Sequence, residues 1–316
     1  MYAFRILGVM GLLWSSSILS TVFAKDCGVE NRWGIWDAEI QRLTTADVLY
    51  LRKEFRAGIY FFRTFGDDSG HQTVSLAAFN PRKIRLSGMK LYRVIHPLIR
   101  VPEETLMSIG RYRLWALNQA VEALDHPDVQ GIVYDAENKY ISGKNHRKLL
   151  KDLKFEAEKR GKCFGVAVPD DPHYEVFRLN WSDYERHADF ILPWLYHKNG
   201  SSQYKRGILH MLRTWEEMGV RKPVYPIYDF GRTLQKGLSP QEALEVPKYL
   251  ASNGVKTIIQ FQTIIPFLCA FHCCGFKNNQ CVASNAYLQR YPESIAPDSA
   301  SIFRHHFESL RINYGY

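Results

Sequence analysis

Short apolar runs alternate with amphipathic stretches along most of the chain. Runs rich in Ile, Val, Tyr and Phe stand at 33–37, 58–65, 90–96, 131–137, 163–169, 190–196, 224–230 and 257–262. Most are apolar at nearly every position, as strands covered on both faces must be. The stretches between them carry the helical period. Residues 45–55 open on a Thr cap, and 102–124 place Leu106, Ile109, Leu114, Leu117, Val121 and Leu124 on one side. Further helices are predicted over 146–160 and 203–218, and another opens at Ser239-Pro240-Gln241-Glu242 with a cap, a proline in the first turn and an early acid. Eight strands alternating with helices predict an α/β protein, a closed (β/α)8 TIM barrel. An open doubly wound sheet is disfavoured, because no G-x-G-x-x-G turn follows the first strand. Residues 66–89 read as an elaborated loop over the barrel mouth. Beyond Gln262 the rhythm stops.

The first 24 residues stand apart from this pattern. Arg5 precedes an apolar run over 6–14, and a small-polar stretch closes on Val22-Phe23-Ala24, the layout of a secretory signal peptide cut after Ala24. Ser15, Ser16, Ser17 and Ser20 dilute the run below the roughly 20 apolar residues a membrane span needs. The one later stretch approaching that length, 258–271, is interrupted by Gln260, Gln262 and Pro266, so no stable span is expected. The expected organisation is a signal peptide over 1–24, a barrel domain over 25–265 and a Cys-rich C-terminal extension over 266–316 packed on the barrel. The protein is expected outside the cell.

Composition supports that compartment. All six cysteines, Cys27, Cys163, Cys269, Cys273, Cys274 and Cys281, follow the cleavage point, and an even number in an exported chain favours disulfides. Zinc is the rival, but Cys273-Cys274 is not a C-x-x-C pair and His272 alone lacks ligand spacing, so no metal is assigned. Spacing does not choose among the pairings. Asn180-Trp181-Ser182 and Asn199-Gly200-Ser201 are acceptor triplets for N-glycosylation. The net charge of +9 suits a polyanionic partner, with basic clusters at Lys144-Asn145-His146-Arg147-Lys148 and around Lys159, Arg160 and Lys162. No nucleic-acid-binding motif accompanies them, and an exported chain seldom meets nucleic acid. A merely solvated basic surface explains the charge equally well.

Chemistry concentrates where the fourth strand ends, at Gly131-Ile132-Val133-Tyr134-Asp135-Ala136-Glu137. In such barrels the working residues sit at the C-terminal strand ends. With period two, Gly131, Val133, Asp135 and Glu137 share one face, and two carboxylates two residues apart lie roughly 6–7 Å apart at the backbone. Like charges that close in a partly dry cleft drive one pKa upward, giving a protonated acid beside a carboxylate. Glycoside cleavage needs that division of labour. The plainer reading is a solvated Asp-Ala-Glu capping the next turn. Other strand-end candidates are Asp37, Arg63, Asp170, Trp194, Asp229 and Gln260, with His96 and His197; Arg63 could grip the carboxylate of an acidic sugar. No nucleophile elbow, H-E-x-x-H or phosphate loop is present, which argues against serine hydrolysis, zinc proteolysis and nucleotide chemistry. No cofactor is expected.

The strand-four sequence resembles the D-x-E signature of chitinase-like and hyaluronidase-like glycosidases. Downstream, Gly165-Val166-Ala167-Val168-Pro169-Asp170 with Tyr174, Trp194-Leu195-Tyr196, Pro223-Val224-Tyr225-Pro226-Ile227-Tyr228, Leu238-Ser239 and Gly254-Val255-Lys256-Thr257-Ile258-Ile259 are similar to strands five to eight of the hyaluronidase family. The resemblance spans roughly 129–262. It implies that Glu137 is the general acid/base and that Asp135 and Tyr196 orient the substrate's 2-acetamido group, which itself acts as the nucleophile. Chitinase-type enzymes depart from the two-carboxylate scheme in this way. The chain departs from the family at Ala136, at Val133, and at Gln260 and Gln262, where strand eight usually carries a tryptophan as sugar floor. A weaker resemblance, to muramidase-type barrel lysozymes, rests on Phe61-Phe62-Arg63-Thr64-Phe65-Gly66, Val94-Ile95-His96, Asn118-Gln119-Ala120 and Asp37. The expected function is a secreted endo-glycosidase on N-acetylhexosamine polysaccharides, hyaluronan- or chondroitin-like by charge. The alternatives are a peptidoglycan muramidase and a non-catalytic glycan- or protein-binding barrel.

Overall fold

The computed structural model describes residues 26–37, 45–64, 80–95, 109–136, 143–169, 181–195, 204–229, 240–261, 276–277, 280–281 and 297–315. Strands β1 (Trp33–Asp37), β2 (Ile59–Thr64), β3 (Lys90–Ile95), β4 (Gly131–Asp135), β5 (Cys163–Pro169), β6 (Phe190–Trp194), β7 (Ile227–Tyr228) and β8 (Ile258–Phe261) pair in parallel, in chain order. β8 closes on β1 through Trp33↔Ile258 to Trp36↔Phe261. The chain is a (β/α)8 barrel. Helices α1 (Thr45–Phe55), α2 (Pro81–Leu86), α3 (Ile109–Asp125), α4 (Gly143–Lys159), α5 (Trp181–His187), α6 (Tyr204–Glu217), α7 (Pro240–Ser252) and α8 (Pro297–Tyr314) form the outer layer.

Three of these helices went unread in the sequence. The span 66–89, expected as a loop, ends in α2, where Asn80 caps the helix by accepting from the Lys83 N–H at 3.0 Å and Pro81 opens the first turn. α5 is too short to show a period. α8 lies inside the span assigned to the C-terminal extension and packs against α7, α1 and β1, the place of an eighth barrel helix. Its buried Phe307, Leu310 and Tyr314 follow the i, i+3, i+4 spacing of one face. Within the same span, β9 (Phe276–Lys277) and β10 (Gln280–Cys281) form a two-stranded antiparallel piece.

β7 is short for a chemical reason. Pro223 and Pro226 precede it and have no N–H to give to a ladder. Their carbonyls still serve: Ile191 N–H donates to Pro223 and Ile259 N–H to Pro226, both at 2.9 Å. The barrel therefore closes through carbonyls where donors are missing.

Strand alternation divides the wall residues into two sets. Trp36, Phe61, Tyr92, Val94, Val133, Ala167, Leu192, Trp194, Ile227, Ile259 and Phe261 fill the interior, while Ile35, Phe62, Leu91, Ile132, Tyr134 and Val166 face the helices. The interior aromatics form a chain: Trp36 stacks on Phe61 at 5.5 Å, Phe61 on Tyr92 at 5.3 Å, and Tyr92 meets the Phe190 ring edge-on at 5.6 Å. Gly131 and Gly165 make the room. A methyl on Gly165 would overlap the Phe190 ring, and one on Gly131 would strike the Cys163 carbonyl. Large side chains on some strands require small ones on their neighbours.

The N-terminal segment seals the barrel floor. Val29 is fully buried in the interior cluster, Thr257 Oγ1 donates to its carbonyl at 3.1 Å, and the Tyr92 hydroxyl donates to the Cys27 carbonyl. A disulfide joins Cys27 to Cys163 at the start of β5, across a sequence separation of 136. A loop that long makes the cross-link costly to lose.

Two changes test this interior. Gly165→Ala should lower the unfolding free energy by about 1–3 kcal/mol through overpacking, measured by denaturant titration. Cys27→Ser should cost about 2–5 kcal/mol in the same assay, and an unchanged midpoint would remove the disulfide from the account.

Candidate active site

The C-terminal strand ends, where a barrel of this kind keeps its chemistry, gather buried polar groups. Asp135 ends β4 at 2 % exposure, one alternation beyond Val133 in the interior, while Tyr134 and Ala136 on either side face the helices. Its backbone pairs with Ala167 of β5, and the Ala136 N–H donates to the Ala167 carbonyl at 2.9 Å. The β5 residues in register with Val133 and Asp135 are Gly165 and Ala167, so the wall next to Asp135 is thin. Asp229, one alternation after the inward Ile227, is likewise buried. Trp194 at the end of β6 is part of the interior cluster and pairs in register with Ile227. Asp135, Trp194 and Asp229 thus stand, all buried, at the C-terminal ends of β4, β6 and β7.

The outer face of β4 holds this register. Tyr134 packs edge-on against His146 of α4, with ring centroids 5.3 Å apart, and His146 packs edge-on against Tyr184 of α5 at 6.0 Å. Burial pushes His146 down to about 4, opposed by the nearby Asp183 carboxylate. A one-residue slip of β4 would put Tyr134 into the interior and Asp135 under α4. β3 is clamped similarly: Arg93, wholly buried beneath α3, donates to Glu122 at 3.0 Å and to Gln119. Burial lowers the Arg93 pKa and Glu122 opposes the shift.

Gln260 is corrected by the structure. Expected as a substrate contact, it faces outward and is 1 % exposed. Its amide nitrogen donates to the Phe261 carbonyl at 2.8 Å, leaving the amide oxygen to accept from His306 Nε2 of α8 at 2.8 Å. The inward residues of β8 are Ile259 and Phe261, because the alternation from Trp36 and Gly34 of β1 runs through that pair. Period two counted from Ile259 would have found Phe261. Gln119, part of the lysozyme-like resemblance, is spent on Arg93 beneath α3.

The remaining candidates are placed by backbone or not described. Asp37 closes β1 in register with Phe62, and Arg63 in β2 pairs with Val94; their side chains lie outside the described residues. Glu137, Tyr196, Asp170, His96 and His197 also lie outside them, as do Cys269, Cys273, Cys274 and the acceptor triplet at 199–201. Among the described residues, one trio could offer metal donors: Cys27, Cys163 and Asp189, within 4.8 Å of one another. The two sulfurs are spent on each other, and Asp189 accepts from Lys154 and, at 2.9 Å, from the Phe164 N–H. That knot is structural. A cavity of about 490 Å³, lined by Glu30, Arg213, Tyr225, Lys256 and Thr257 among others, opens at the barrel floor, away from the strand ends. No described helix is long and apolar enough to cross a membrane.

The two buried histidines make stability pH-dependent. Burial holds His146 at about 4 and His306 at about 3, below the ordinary value of 6.5. The unfolded chain therefore binds more protons below pH 6.5, and stability present above that value drains away as pH falls. At about pH 4.5 the loss is on the order of 2–3 kcal/mol for each histidine. His146→Phe, which keeps the aromatic sandwich, should flatten the slope of unfolding free energy against pH between 6.5 and 4.5. A slope identical to wild type would refute the assignment.

No family model matches the chain, and no curated protein matches it by sequence. Solved structures do match by shape. The class V chitinase of Nicotiana tobaccum superposes with a TM-score of 0.54 at 11 % identity, covering 90 % of this chain and 99 % of the chitinase. An endo-β-N-acetylglucosaminidase from Cordyceps militaris gives 0.54 at 12 % identity over 89 % and 91 % of the two chains. The spore cortex-lytic enzyme SleL of Bacillus megaterium gives 0.51 at 10 % identity over 73 % and 70 %. At such identities the likeness is one of fold: this chain shares the (β/α)8 barrel of those three proteins.

Proposed function

We propose that the protein is an exported glycoside hydrolase that cleaves N-acetylhexosamine polysaccharides internally, with Glu137 as general acid/base. The carrying observation is Asp135, a carboxyl group buried on the inward face where β4 meets the mouth, two residues before a glutamate. The barrel likeness to a chitinase and an endo-β-N-acetylglucosaminidase supports the substrate class. The Cys27–Cys163 disulfide supports an oxidising compartment, and so the signal peptide over 1–24.

In this reading Glu137 protonates the leaving oxygen. Asp135 and Tyr196 hold the 2-acetamido group so that its carbonyl oxygen attacks the anomeric carbon, giving a cyclic oxazolinium ion that water opens with Glu137 now acting as base. A buried Asp135 suits the task, since a carboxylate in a dry setting stabilises the adjacent positive charge far better than one in water. Phe261, aromatic and inward at the end of β8, offers a ring for the apolar face of a sugar. The +9 charge favours acidic chains of the hyaluronan or chondroitin kind. The likeness to a cortex-lytic enzyme supports peptidoglycan as the second reading.

Release of reducing ends from hyaluronan, chondroitin, chitin and peptidoglycan decides among these. Glu137→Gln should reduce turnover of the true substrate at least about 100-fold, and Asp135→Asn by a similar factor with little change in KM. No release from any of the four by wild type leaves the non-catalytic barrel as the answer. Release insensitive to Glu137→Gln overturns the assigned acid.

A further inference from the structure

The basic charge has a location that the barrel mouth does not explain. α4 buries His146, Leu149, Leu150, Leu153 and Ala157 against the barrel. At 100° per residue, Lys148, Lys151, Phe155 and Lys159 fall within one narrow arc on the side opposite that buried face. All four are exposed, and Phe155 keeps 60 % of its surface in water. The row from Lys148 to Lys159 is about 17 Å long.

The acids of α4 do not neutralise this row, because each serves another cation. Asp152 accepts from Arg113 at 2.5 Å, Glu156 pairs with Arg160, and Glu158 lies 3.3 Å from Lys154. α5 adds to the field. Its exposed Arg186, with Lys151 and Lys154 of α4, depresses the His187 pKa further than burial alone, against the opposing pull of Asp183. Cations of the two helices therefore converge at one flank of the row. Among the described residues no ion pair involves Lys148, Lys151, Lys159 or Arg186.

We propose that this outer face of α4 and α5 is a binding surface for an anionic polysaccharide, distinct from the strand-end residues. A row of cations at helical pitch matches charges repeated along an extended polymer, and gains from release of the polymer's counterions. The aromatic ring in the middle of the row meets the apolar face of a sugar, which charge alone does not need. A glycan is favoured over nucleic acid through the reading of the chain as exported. The surface would hold a long substrate while its end or middle is worked on at the mouth, or anchor the protein in an acidic matrix.

Equilibrium binding tests this with the full chain carrying Glu137→Gln, so that binding is read without hydrolysis. The probes are size-defined chondroitin sulfate, neutral chitin oligosaccharide and a DNA strand of equal charge. Chondroitin sulfate should bind, and binding should weaken as salt rises. The triple variant Lys148→Gln, Lys151→Gln, Lys159→Gln should weaken it at least tenfold with an unchanged circular dichroism spectrum and a shallower salt slope. Phe155→Ala should weaken it several-fold with the salt slope unaltered. Triple-variant affinity equal to wild type, or DNA bound as tightly as the glycan, overturns the proposal. If wild type fails to cleave any polysaccharide yet this pattern holds, the function assigned to the mouth fails and the surface stands.

Discussion

The structure depends on how its barrel interior is filled. Four aromatic rings, of Trp36, Phe61 and Tyr92 from the adjoining strands β1 to β3 and of Phe190 from β6, run through the interior, and they fit only because β4 and β5 give up side chains at Gly131 and Gly165. That complementarity fixes which residues of β4 face inward. Val133 then closes the layer, and Asp135 emerges one alternation higher, at the mouth. The position of a charged group near the rim is thus a consequence of where glycines sit near the floor.

Constraints outside the wall act in the same direction. The sandwich of Tyr134, His146 and Tyr184 locks the outer face of β4, Arg93 ties β3 to α3, and Gln260 with His306 ties the end of β8 to α8. Each holds a buried polar side chain against partners of defined geometry, so each penalises a register slip more than it adds to net stability. Below, the segment around Val29 shuts the floor and Cys27 holds it there. The floor is closed, and the buried Asp135 and Asp229 lie at the other end.

The eight strands were legible because burial on both faces writes them as short apolar runs that alternate with helical periods. The inward turn of Asp135 was legible too, since it needs only period two along one strand. Gln260 needs the same count: an amide beside a phenylalanine looks available, but its strand partner Ile35 faces the helices, and Gln260 with it. α8 was less legible because Phe307, Leu310 and Tyr314 are its few buried apolar positions in a mostly polar helix. The Cys27–Cys163 pairing had no local signal, because only closure of the barrel brings residues that distant together. The roles proposed for Asp135 and Glu137 rest on acetamido-assisted chemistry, which strand alternation alone does not establish.

That chemistry has a stereochemical signature. An acetamido-assisted reaction at Asp135 and Glu137 inverts the anomeric carbon twice, so proton NMR of the first product, before mutarotation, should show the configuration of the bond that was cut. A substrate with its N-acetyl groups replaced by free amines should not be cleaved at all. Product of the opposite anomer, or equal cleavage of the deacetylated chain, would contradict the account.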